Sequence, residues 1–497
     1  MKTRFLVAAV VALGGCAPLT RHVVRAPDQR LFDGGGYRIE RCDASYVGVF
    51  ADCTLSGSGP RQVLRANLIS GDRLYLGGSL TIGPDGRIEA AGCAVPDIAD
   101  AVVLDCPGAL VSAGFINLHE HIDYSYQQPA QPPVHRWKHR NEWRRLHAAE
   151  RGFEGDAPAD AGVRADVSER AMLRHALSGT TSLSGAKEFR AFVRNLGLAE
   201  APLGTPAGLP IADSTFPLDD GASMEKLAAS CTAAEAGAVH ADPERPFLAH
   251  VGEGTDASAR YEVDCLLRAV AGKSTPNAFI HGVAISSRQI PQLARQDVAV
   301  VLSPRSNFRL YAATAPVIEL KNAGVTLGLG TDWAPSGSLT LLDEARCLSR
   351  YSRDSLHGRL GAADVHRMMT AGGARAVGLQ GQVGALAPAE WADLVLLDTE
   401  GRRSLAEVLE RSALPQIIAV AIGGRLASAP SSWAGRLPQL ENCGVDPRRL
   451  CGTERLVCGV DGGRSLTALL QQAAYTIDDT RLCHPQPTDD CVARRSP

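Results

Sequence analysis

The 497-residue sequence lacks the features that mark several large classes of protein. It has no excess of positive charge, because 51 lysine and arginine residues face 54 acidic residues and leave a net charge of -3. That balance argues against a dedicated nucleic-acid-binding protein, which normally carries a strongly basic domain. The sequence also has no G-x-G-x-x-G motif after a first strand, no P-loop and no internal repeat. After the N-terminus no apolar run approaches the roughly 18 residues that span a bilayer, so we expect a soluble folded body.

Aromatic residues are scarce, at 5%, whereas 50 glycines and 29 prolines indicate many short turns between many elements. The 45% of hydrophobic and 21% of charged residues are typical of a globular protein and exclude a disordered one. The length predicts two or three structural units.

The N-terminus is typical of an export signal. Residues 1–4 form a short basic head, and Phe5–Leu13 is an apolar run too short for a permanent membrane helix. The run ends Leu13-Gly14-Gly15-Cys16, which resembles the lipobox of bacterial lipoproteins, where the cysteine becomes the acylated first residue. We therefore expect residues 1–15 to be removed and Cys16 to anchor an exported protein in the cell envelope, facing the periplasm or the outside. Ordinary cleavage nearby, with Cys16 incidental, is the alternative.

The remaining cysteines favour disulfides over metal binding. Thirteen cysteines less Cys16 leave twelve, an even number, in a compartment that would be oxidising. Zinc-ribbon spacing of the C-x₂-C type is absent. Five of the twelve lie in the last 55 residues and cannot all pair among themselves, so at least one must stay free or reach elsewhere.

The chain divides into segments that differ in composition and in predicted secondary structure. A polar leader, 16–61, precedes short strands and turns over 62–107, and similar strands return over 383–430. We expect these two blocks to build one small β-sandwich. Between them, 108–382 alternates apolar strands with helical stretches, at the size and rhythm of a (β/α)₈ TIM barrel. A doubly wound sheet is the rival architecture. A cysteine-rich tail, 431–497, ends the chain.

Histidine and aspartate side chains follow the predicted barrel strands. His119 and His121 stand two apart directly after an apolar strand, so both side chains point to the same side. His250, His281 and Asp332 each end a further apolar run. An H-x-H pair alone is more often a packing or surface pair. Its recurrence with other ligating residues at successive strand ends predicts an active site at the C-terminal face of a barrel.

These segments resemble the amidohydrolase superfamily, over about residues 64 to 427. The stretch from Val111 to His121 looks like its first-strand signature, and His250-Val251-Gly252-Glu253 matches the H-x-x-E of the cytosine deaminase, chlorohydrolase and imidazolonepropionase branch. Three later stretches resemble the segments after strands seven and eight and the return to the small β domain. They are Ser303-Pro304-Arg305-Ser306-Asn307, the stretch from Gly330 to Ser338, and Val383-Gly384-Ala385-Leu386 with Trp391-Ala392-Asp393-Leu394-Val395.

The resemblance implies one divalent metal, zinc first and iron as the alternative, held by His119, His121, His250 and Asp332. Protein ligands plus one open position let such a metal lower the pKa of bound water to about 7. Asp332 is then also expected to take the proton from that water.

The resemblance gives two more residues a catalytic role. Glu253 would hand a proton to the ring or leaving nitrogen, and His281 would hold the attacking water. A loop salt bridge is the alternative for Glu253, and a satisfied core histidine is the alternative for His281.

A second metal would need a carboxylated lysine on the fourth barrel strand. Between His121 and His250 only Lys138, Lys187 and Lys226 are available, and none is well placed. One metal is therefore favoured, and Lys187 is kept as the alternative that would hold a second metal.

Residues 134–147 are basic and interleaved with tryptophan. As the loop after the first barrel strand, this stretch is expected to overhang the site and to select anionic substrates through Arg144 and Arg145. A solvated helix face and a nucleic-acid patch are the alternatives. Tyr124 and Tyr126 either line the pocket or pack.

Together these features predict an exported, metal-dependent hydrolase of carbon-nitrogen bonds other than peptide bonds. The expected reaction is hydrolytic deamination or ring opening of a small cyclic nitrogen compound. A binuclear amidase or dipeptidase, or a tethered binding protein without catalysis, are the alternatives. The expected partner is a small molecule and not a nucleic acid, contact with the membrane comes only through Cys16, and the sequence fixes neither the substrate nor the oligomeric state.

Overall fold

The structure of the protein, a computed structural model, describes most of the chain from residue 32 onward. The predicted signal, Cys16 and parts of the basic stretch and of the tail lie outside the described residues. Among the described helices none is both long and apolar enough to cross a membrane. The described ranges are 32–93, 98–127, 136–145, 158–188, 192–198, 211–214, 216–218, 223–238, 244–437, 440, 443–445, 449–458 and 479–492.

The described residues contain both strands and helices in alternation. The strands are β1 Arg38–Arg41, β2 Thr54–Gly57, β3 Arg61–Ser70, β4 Arg73–Ile82, β5 Ile88–Gly92, β6 Ala101–Ala113, β7 Phe115–Asn117, β8 Thr180–Leu183, β9 Arg194–Asn195, β10 Ala212–Ser214, β11 Phe247–Val251, β12 Asn277–His281, β13 Val298–Leu302, β14 Leu327–Leu329, β15 Leu394–Asp398, β16 Ile417–Ile422, β17 Arg425–Pro430, β18 Gly444–Val445 and β19 Arg455–Val457. The α-helices are α1 Arg140–Arg144, α2 Ala161–Leu177, α3 Met224–Ala233, α4 Ala257–Ala269, α5 Ile290–Arg295, α6 Pro304–Tyr311, α7 Val317–Asn322, α8 Leu341–Ser355, α9 Ala362–Met369, α10 Ala371–Ala376 and α11 Leu405–Arg411. Short 3₁₀ helices lie at Ala44–Tyr46, Ile122–Tyr124, Leu414–Gln416, Ser431–Trp433, Leu450–Gly452 and Asp479–Cys483, and a π-helical turn lies at Ala234–Ala238.

The strands that flank the barrel pair with one another in a single eleven-stranded sheet. β4 and β5 form an antiparallel hairpin around the turn at 83–86, which Gly86 closes with a positive φ of 82°. A side chain there would collide with the carbonyl oxygen of Gly423, 2.0 Å from its Cβ position. β6 pairs in parallel with β3 and antiparallel with β15, with Val111 opposite Leu396. The N-terminal and C-terminal flanking segments therefore share one sheet.

Eight parallel strands, β7 to β14, build the barrel in chain order. They fall into two arcs, β7-β8-β9 and β10-β11-β12-β13-β14. Backbone hydrogen bonds join the arcs at both seams, from Leu118 N–H to Leu329 O at 3.2 Å and from Ile211 N–H to Leu196 O at 2.7 Å. The predicted (β/α)₈ fold is confirmed.

Side chains alternate across the barrel wall as the period of a strand requires. In β11, Phe247 and Ala249 pack against the outer helices, whereas Leu248 packs inside the barrel with Ile116 and Leu118. The inward direction at Leu248 is also that of His250, two residues on. The strand pattern therefore points His250 toward the mouth of the barrel.

The twelve cysteines of the described residues form six disulfides. Four of the five tail cysteines pair within the tail, whereas Cys491 bonds to Cys347 on α8 of the barrel. The expectation that at least one tail cysteine stays free or pairs outside the tail is met by this bond. The pairs are Cys42–Cys93, Cys53–Cys106, Cys231–Cys265, Cys347–Cys491, Cys443–Cys458 and Cys451–Cys483.

Candidate active site

Four ligating side chains converge at the C-terminal mouth of the barrel. His119 Nε2 lies 3.2 Å from His121 Nε2, 3.0 Å from His250 Nε2 and 3.3 Å from Asp332 Oδ1. The ligand atoms of His119, His121 and His250 all lie within 4.8 Å of one another. Burial, and then the neighbouring histidines His250, His281 and His121, lower the pKa of His119 well below its usual value. Three imidazoles and a carboxylate that share one small space are the donor set that zinc or iron binds, so these residues fit a metal.

Hydrogen bonds behind the ligands fix their orientation. His119 Nδ1 lies 2.7 Å from Ser303 Oγ. When Nδ1–H donates to that hydroxyl, the lone pair of Nε2 faces the site and can bind a metal. Asp332 Oδ2 accepts a hydrogen bond from Ser306 Oγ at 2.5 Å, which leaves Oδ1 facing the histidines. Burial raises the pKa of Asp332 above its usual value, although His281 and His121 act to lower it. Both supporting hydroxyls belong to the segment after β13.

Two site residues reach their positions through a left-handed backbone. In β12, Phe279 packs outward, and strand alternation would turn His281 outward as well. His281 instead has a φ of 69°, and Asp332 has a φ of 58°. Such values are uncommon for residues with a side chain and concentrate at functional sites. The turn of the backbone brings the His281 ring centroid within 4.8 Å of that of His119.

Glu253 and His281 face each other across the site. Glu253 Oε2 lies 3.7 Å from His281 Nε2, and His281 Nδ1 lies 2.8 Å from Asn307 Oδ1. Because an amide oxygen only accepts, Nδ1 of His281 donates to it and Nε2 is the basic nitrogen. The Tyr311 hydroxyl donates to Glu253 Oε1 at 2.7 Å and accepts from Trp143 Nε1 at 2.9 Å. Burial and the Glu253 charge raise the pKa of Tyr311 well above its usual value, so this phenol stays a donor.

Sequence reasoning missed Tyr311. It ends α6, four residues after Asn307, and a buried helix tyrosine carries no pattern that separates it from a core residue. The only available signal was its place shortly after the segment that resembles the family motif.

The segment 136–145 lies over the site. His139 forms an antiparallel bridge with Gly254, and the Arg140 guanidinium makes a buried bidentate contact with Glu262 at 3.0 and 2.6 Å. Glu262 Oε2 also accepts the Gly252 N–H at 2.7 Å, so the segment is tied to the loop that carries Glu253. The basic stretch is expected to overhang the site, and its described part, 136–145, does so.

Three of the four candidate ligands, His121, His250 and Asp332, line a cavity of about 290 Å³. Trp143 stacks on Trp333 with centroids 5.4 Å apart, and Tyr124 meets Trp333 edge-on at 5.6 Å. The Arg144 guanidinium lies 3.7 Å from the Phe216 ring centroid. Of the residues predicted to line the pocket, Arg144 and Tyr124 do so, whereas Arg145 and Tyr126 are not among the described lining residues. That lining consists of His121, Asp123, Tyr124, Trp143, Arg144, Lys187, Phe216, His250, Glu253, His281, Asp332 and Trp333.

The three lysines considered for a second metal differ in position. Lys138 is exposed at the start of the overhanging segment, and Lys226 is exposed on α3. Lys187 lines the cavity and forms an ion pair with Asp123. Partial burial acts to lower the pKa of Lys187, but the hydrogen bond and the charge of Asp123 outweigh it. The pKa of Lys187 is therefore above its usual value. Lys187 is therefore a cation at neutral pH.

Comparison with known proteins agrees with this geometry. The model of the amidohydrolase family matches residues 238–427. A 5-methylthioadenosine/S-adenosylhomocysteine deaminase of Haloquadratum walsbyi is 29% identical over 356 residues, 61% of this chain and 75% of the relative. One from Moorella thermoacetica is 27% identical over 386 residues, 70% and 84% of the two chains. A shorter match, from Desulforudis audaxviator, is 38% identical over 124 residues and covers 29% of that relative.

Solved structures show the same fold. Guanine deaminase from C. acetobutylicum has a TM-score of 0.53 at 16% identity, over 74% of this chain and 99% of its own. Atrazine chlorohydrolase from Arthrobacter aurescens, complexed with zinc, has a TM-score of 0.53 at 18% identity, over 74% and 95% of the two chains. The family match and the deaminase relatives support a hydrolase of carbon-nitrogen bonds other than peptide bonds. The family model and the deaminase relatives support the amidohydrolase superfamily for this chain.

Proposed function

We propose that the protein removes the exocyclic amino group of a purine-type ring by hydrolysis and releases ammonia. The observation that carries this proposal is the convergence of a His-His-His-Asp donor set with Glu253 and His281 around one cavity. The relatives named as deaminases of methylthioadenosine and S-adenosylhomocysteine support the adenine-like ring. The reaction balances as an amine and water giving a ring carbonyl and ammonia.

One divalent metal completes the proposed site, with zinc the first choice and iron the alternative. His119, His121, His250 and Asp332 would hold it, and when bound it supplies Lewis acidity that brings the pKa of water to about 7. A binuclear site would require the lysine nitrogen to be neutral for carboxylation. The Lys187–Asp123 ion pair favours the ammonium form instead, which supports one metal.

The side chains of this site provide the proton transfers. Asp332 Oδ1 faces the shared space of the histidines and accepts a proton from the attacking water. Glu253 carries a proton to the ring nitrogen or the leaving amine, since its Oε2 faces the cavity while Tyr311 occupies Oε1. His281, held by Asn307, presents Nε2 to the same space and orients the water.

The walls of the cavity suit a flat ring with an anionic substituent. Trp143, Trp333 and Tyr124 offer aromatic faces and edges against which a heterocycle packs. Arg144 and Lys187 add positive charge to the same cavity. We therefore extend the proposal to substrates that bear a carboxylate or another anion away from the ring, with Arg144 as the residue that selects them.

We also propose that the protein is exported and lipid-anchored through Cys16. Six disulfides among the twelve other cysteines support an oxidising compartment. Metabolic labelling with a radioactive fatty acid tests this proposal. Incorporation that Cys16→Ala abolishes supports the anchor, whereas an unlabelled, normally processed protein contradicts it.

Metal analysis and ammonia release test the function on one preparation. We expect about one zinc or iron per chain in the purified protein, and ammonia released from adenosine-type nucleosides. The His119→Ala, His121→Ala double variant should lose both, whereas His357→Asn, at an exposed position remote from the cavity lining, should keep both. Two metals per chain would favour the amidase alternative. No metal and no ammonia would contradict the proposal and favour a binding protein.

A further inference from the structure

The end of the cysteine-rich tail is fastened to the barrel behind the candidate metal site. Cys491 is bonded to Cys347 on α8. Nearby, the Gln486 N–H donates to Asp343 Oδ1 at 2.8 Å, and Gln486 Oε1 accepts the Leu339 N–H at 3.2 Å. The tail segment 486–491 is thus attached through a covalent bond and through hydrogen bonds, and it lies beyond the family match, which ends at residue 427.

Asp490 in this segment pairs with two arginines of α6. Its Oδ1 lies 2.7 Å from Arg305 Nη1, and its Oδ2 lies 2.6 Å from Arg309 Nε. The side chains of Arg305 and Arg309 are 1% and 9% exposed, and that of Asp490 is 11% exposed. The Pro487 carbonyl also accepts a hydrogen bond from Arg305 Nη1 at 2.7 Å. The tail therefore supplies the carboxylate that faces two nearly buried cations.

These arginines contact the loop that carries Asp332. Arg305 Nε donates to Ser338 Oγ at 2.8 Å, and Arg309 Nη1 donates to the Pro335 carbonyl at 3.0 Å. Ser306, adjacent to Arg305 on α6, donates to Asp332 Oδ2 at 2.5 Å. A shift of α6 would therefore displace Ser306, the hydrogen-bond donor to Asp332. It would also displace the loop, through the contacts of Arg305 and Arg309.

Glu344 is a second carboxylate that contacts Arg305. It accepts the Arg305 N–H at 2.9 Å and a hydrogen bond from Ser338 Oγ. Burial raises the pKa of Glu344 to about 8, although Arg305 acts to lower it. Asp490 is the carboxylate that forms ion pairs with both arginines. Removal of one partner from a buried ion pair leaves an uncompensated charge, which destabilises the local structure.

We infer that Asp490 is a positioning residue for Asp332, acting through Arg305 and Arg309, and that the Cys347–Cys491 disulfide holds it in place. This inference rests on the proposed role of Asp332 as a metal ligand. Asp490 touches neither the cavity nor the ligand atoms, so its effect passes through α6 and the loop after β14. The tail is thus a structural part of the metal site.

Zinc affinity of the full-length chain tests this inference. Wild type, Asp490→Asn, Asp490→Glu and the neighbouring exposed Asp489→Asn are titrated with zinc against a chromophoric chelator. Outer-shell partners of metal ligands typically change affinity 10- to 100-fold, and we expect Asp490→Asn to weaken zinc binding about 10-fold. Asp490→Glu should recover part of the loss, and Asp489→Asn should bind as wild type. With adenosine as substrate at saturating zinc, kcat should fall more than KM rises.

The outcomes separate this inference from the proposed function. A wild-type chain that binds no zinc overturns the function itself. A wild-type chain that binds zinc while Asp490→Asn binds it equally tightly overturns only the role of Asp490. If Asp490→Asn fails to fold, the Cys347→Ser, Cys491→Ser double variant decides, because it releases the tail without replacing Asp490. Weaker zinc binding in that folded variant supports the inference, and unchanged binding overturns it.

Discussion

At the scale of single residues, the site depends on groups that hold other groups in one orientation. Asn307 fixes the ring of His281, Ser303 fixes His119, and Tyr311 occupies one oxygen of Glu253. Because each supporting group is buried, it has no water to replace the hydrogen bond that it makes. The supporting residues should therefore influence turnover without binding the metal themselves.

Tyr311→Phe tests this at Glu253. The variant keeps the ring and removes only the hydroxyl that donates to Glu253 Oε1, so we expect metal content to stay unchanged. We expect kcat to fall about 10-fold, since a hydrogen bond to a charged group contributes about 1.5–3 kcal/mol. Tyr351→Phe is the matched control, because Tyr351 is half-buried and packs against Phe308 away from the site. An unchanged kcat in Tyr311→Phe would show that Glu253 needs no such support.

At the scale of elements, the sequence predicts best the site residues that lie at the ends of strands. The strand period and the apolar run indicate that His250 points into the barrel mouth, and the structure places it there. The period gives the wrong direction for His281, whose left-handed backbone reverses it. Tyr311 and Phe216 reach the site from a helix and from a loop, where side-chain direction follows from tertiary packing and not from a repeat.

We propose that the segment that carries α1 sets substrate preference. We expect Arg144→Ala to raise KM about 10-fold for substrates with a carboxylate, because a charge-assisted hydrogen bond is lost. KM for uncharged nucleosides should change little. Arg145→Ala is the control, since Arg145 belongs to the same segment but not to the described lining of the cavity. Steady-state kinetics on matched charged and neutral substrates decide, and an equal rise in KM for both would assign Arg144 a packing role on Phe216.

At the scale of the whole molecule, a buried histidine joins the sheet to the barrel. His366 on α9 lies 2.8 Å through Nδ1 from the Tyr37 hydroxyl and 2.6 Å through Nε2 from Ser112 Oγ on β6. Burial, with a smaller contribution from Arg367, lowers the pKa of His366 to about 3. The folded protein therefore keeps this ring neutral at pH values where the unfolded chain, with a pKa of about 6.5, is protonated.

The free energy of unfolding should consequently decrease as the pH falls from about 6.5 toward 3. His366 contributes a slope of at most about 1.4 kcal/mol per pH unit, which corresponds to one proton. Urea unfolding of wild type and His366→Gln between pH 4 and 7 measures it, and the variant should show the shallower dependence. His357→Asn, at an exposed position, should follow wild type. Parallel curves for wild type and His366→Gln would mean that His366 does not titrate as its burial implies.

The sequence predicts less at this scale. Twelve cysteines and their crowding in the tail indicate disulfides, but any pairing is compatible with the spacing alone. The union of the two flanking segments through β6 and β15 is a long-range pairing of strands on either side of the barrel segment. Contacts of that range depend on the finished fold, which is why the contact of Asp490 with α6 has no counterpart in the sequence pattern.

The bond between Cys347 and Cys491 also bears on the order of events during biosynthesis. Asp490 and Cys491 follow all eight barrel strands in the chain, so they are translated and exported after them. A new chain would therefore pass through a stage in which the eight strands are present but Asp490 does not yet contact the arginines of α6 that contact the loop carrying Asp332. Oxidation of this one pair would end that stage, and acquisition of tightly held metal would report the completion of folding.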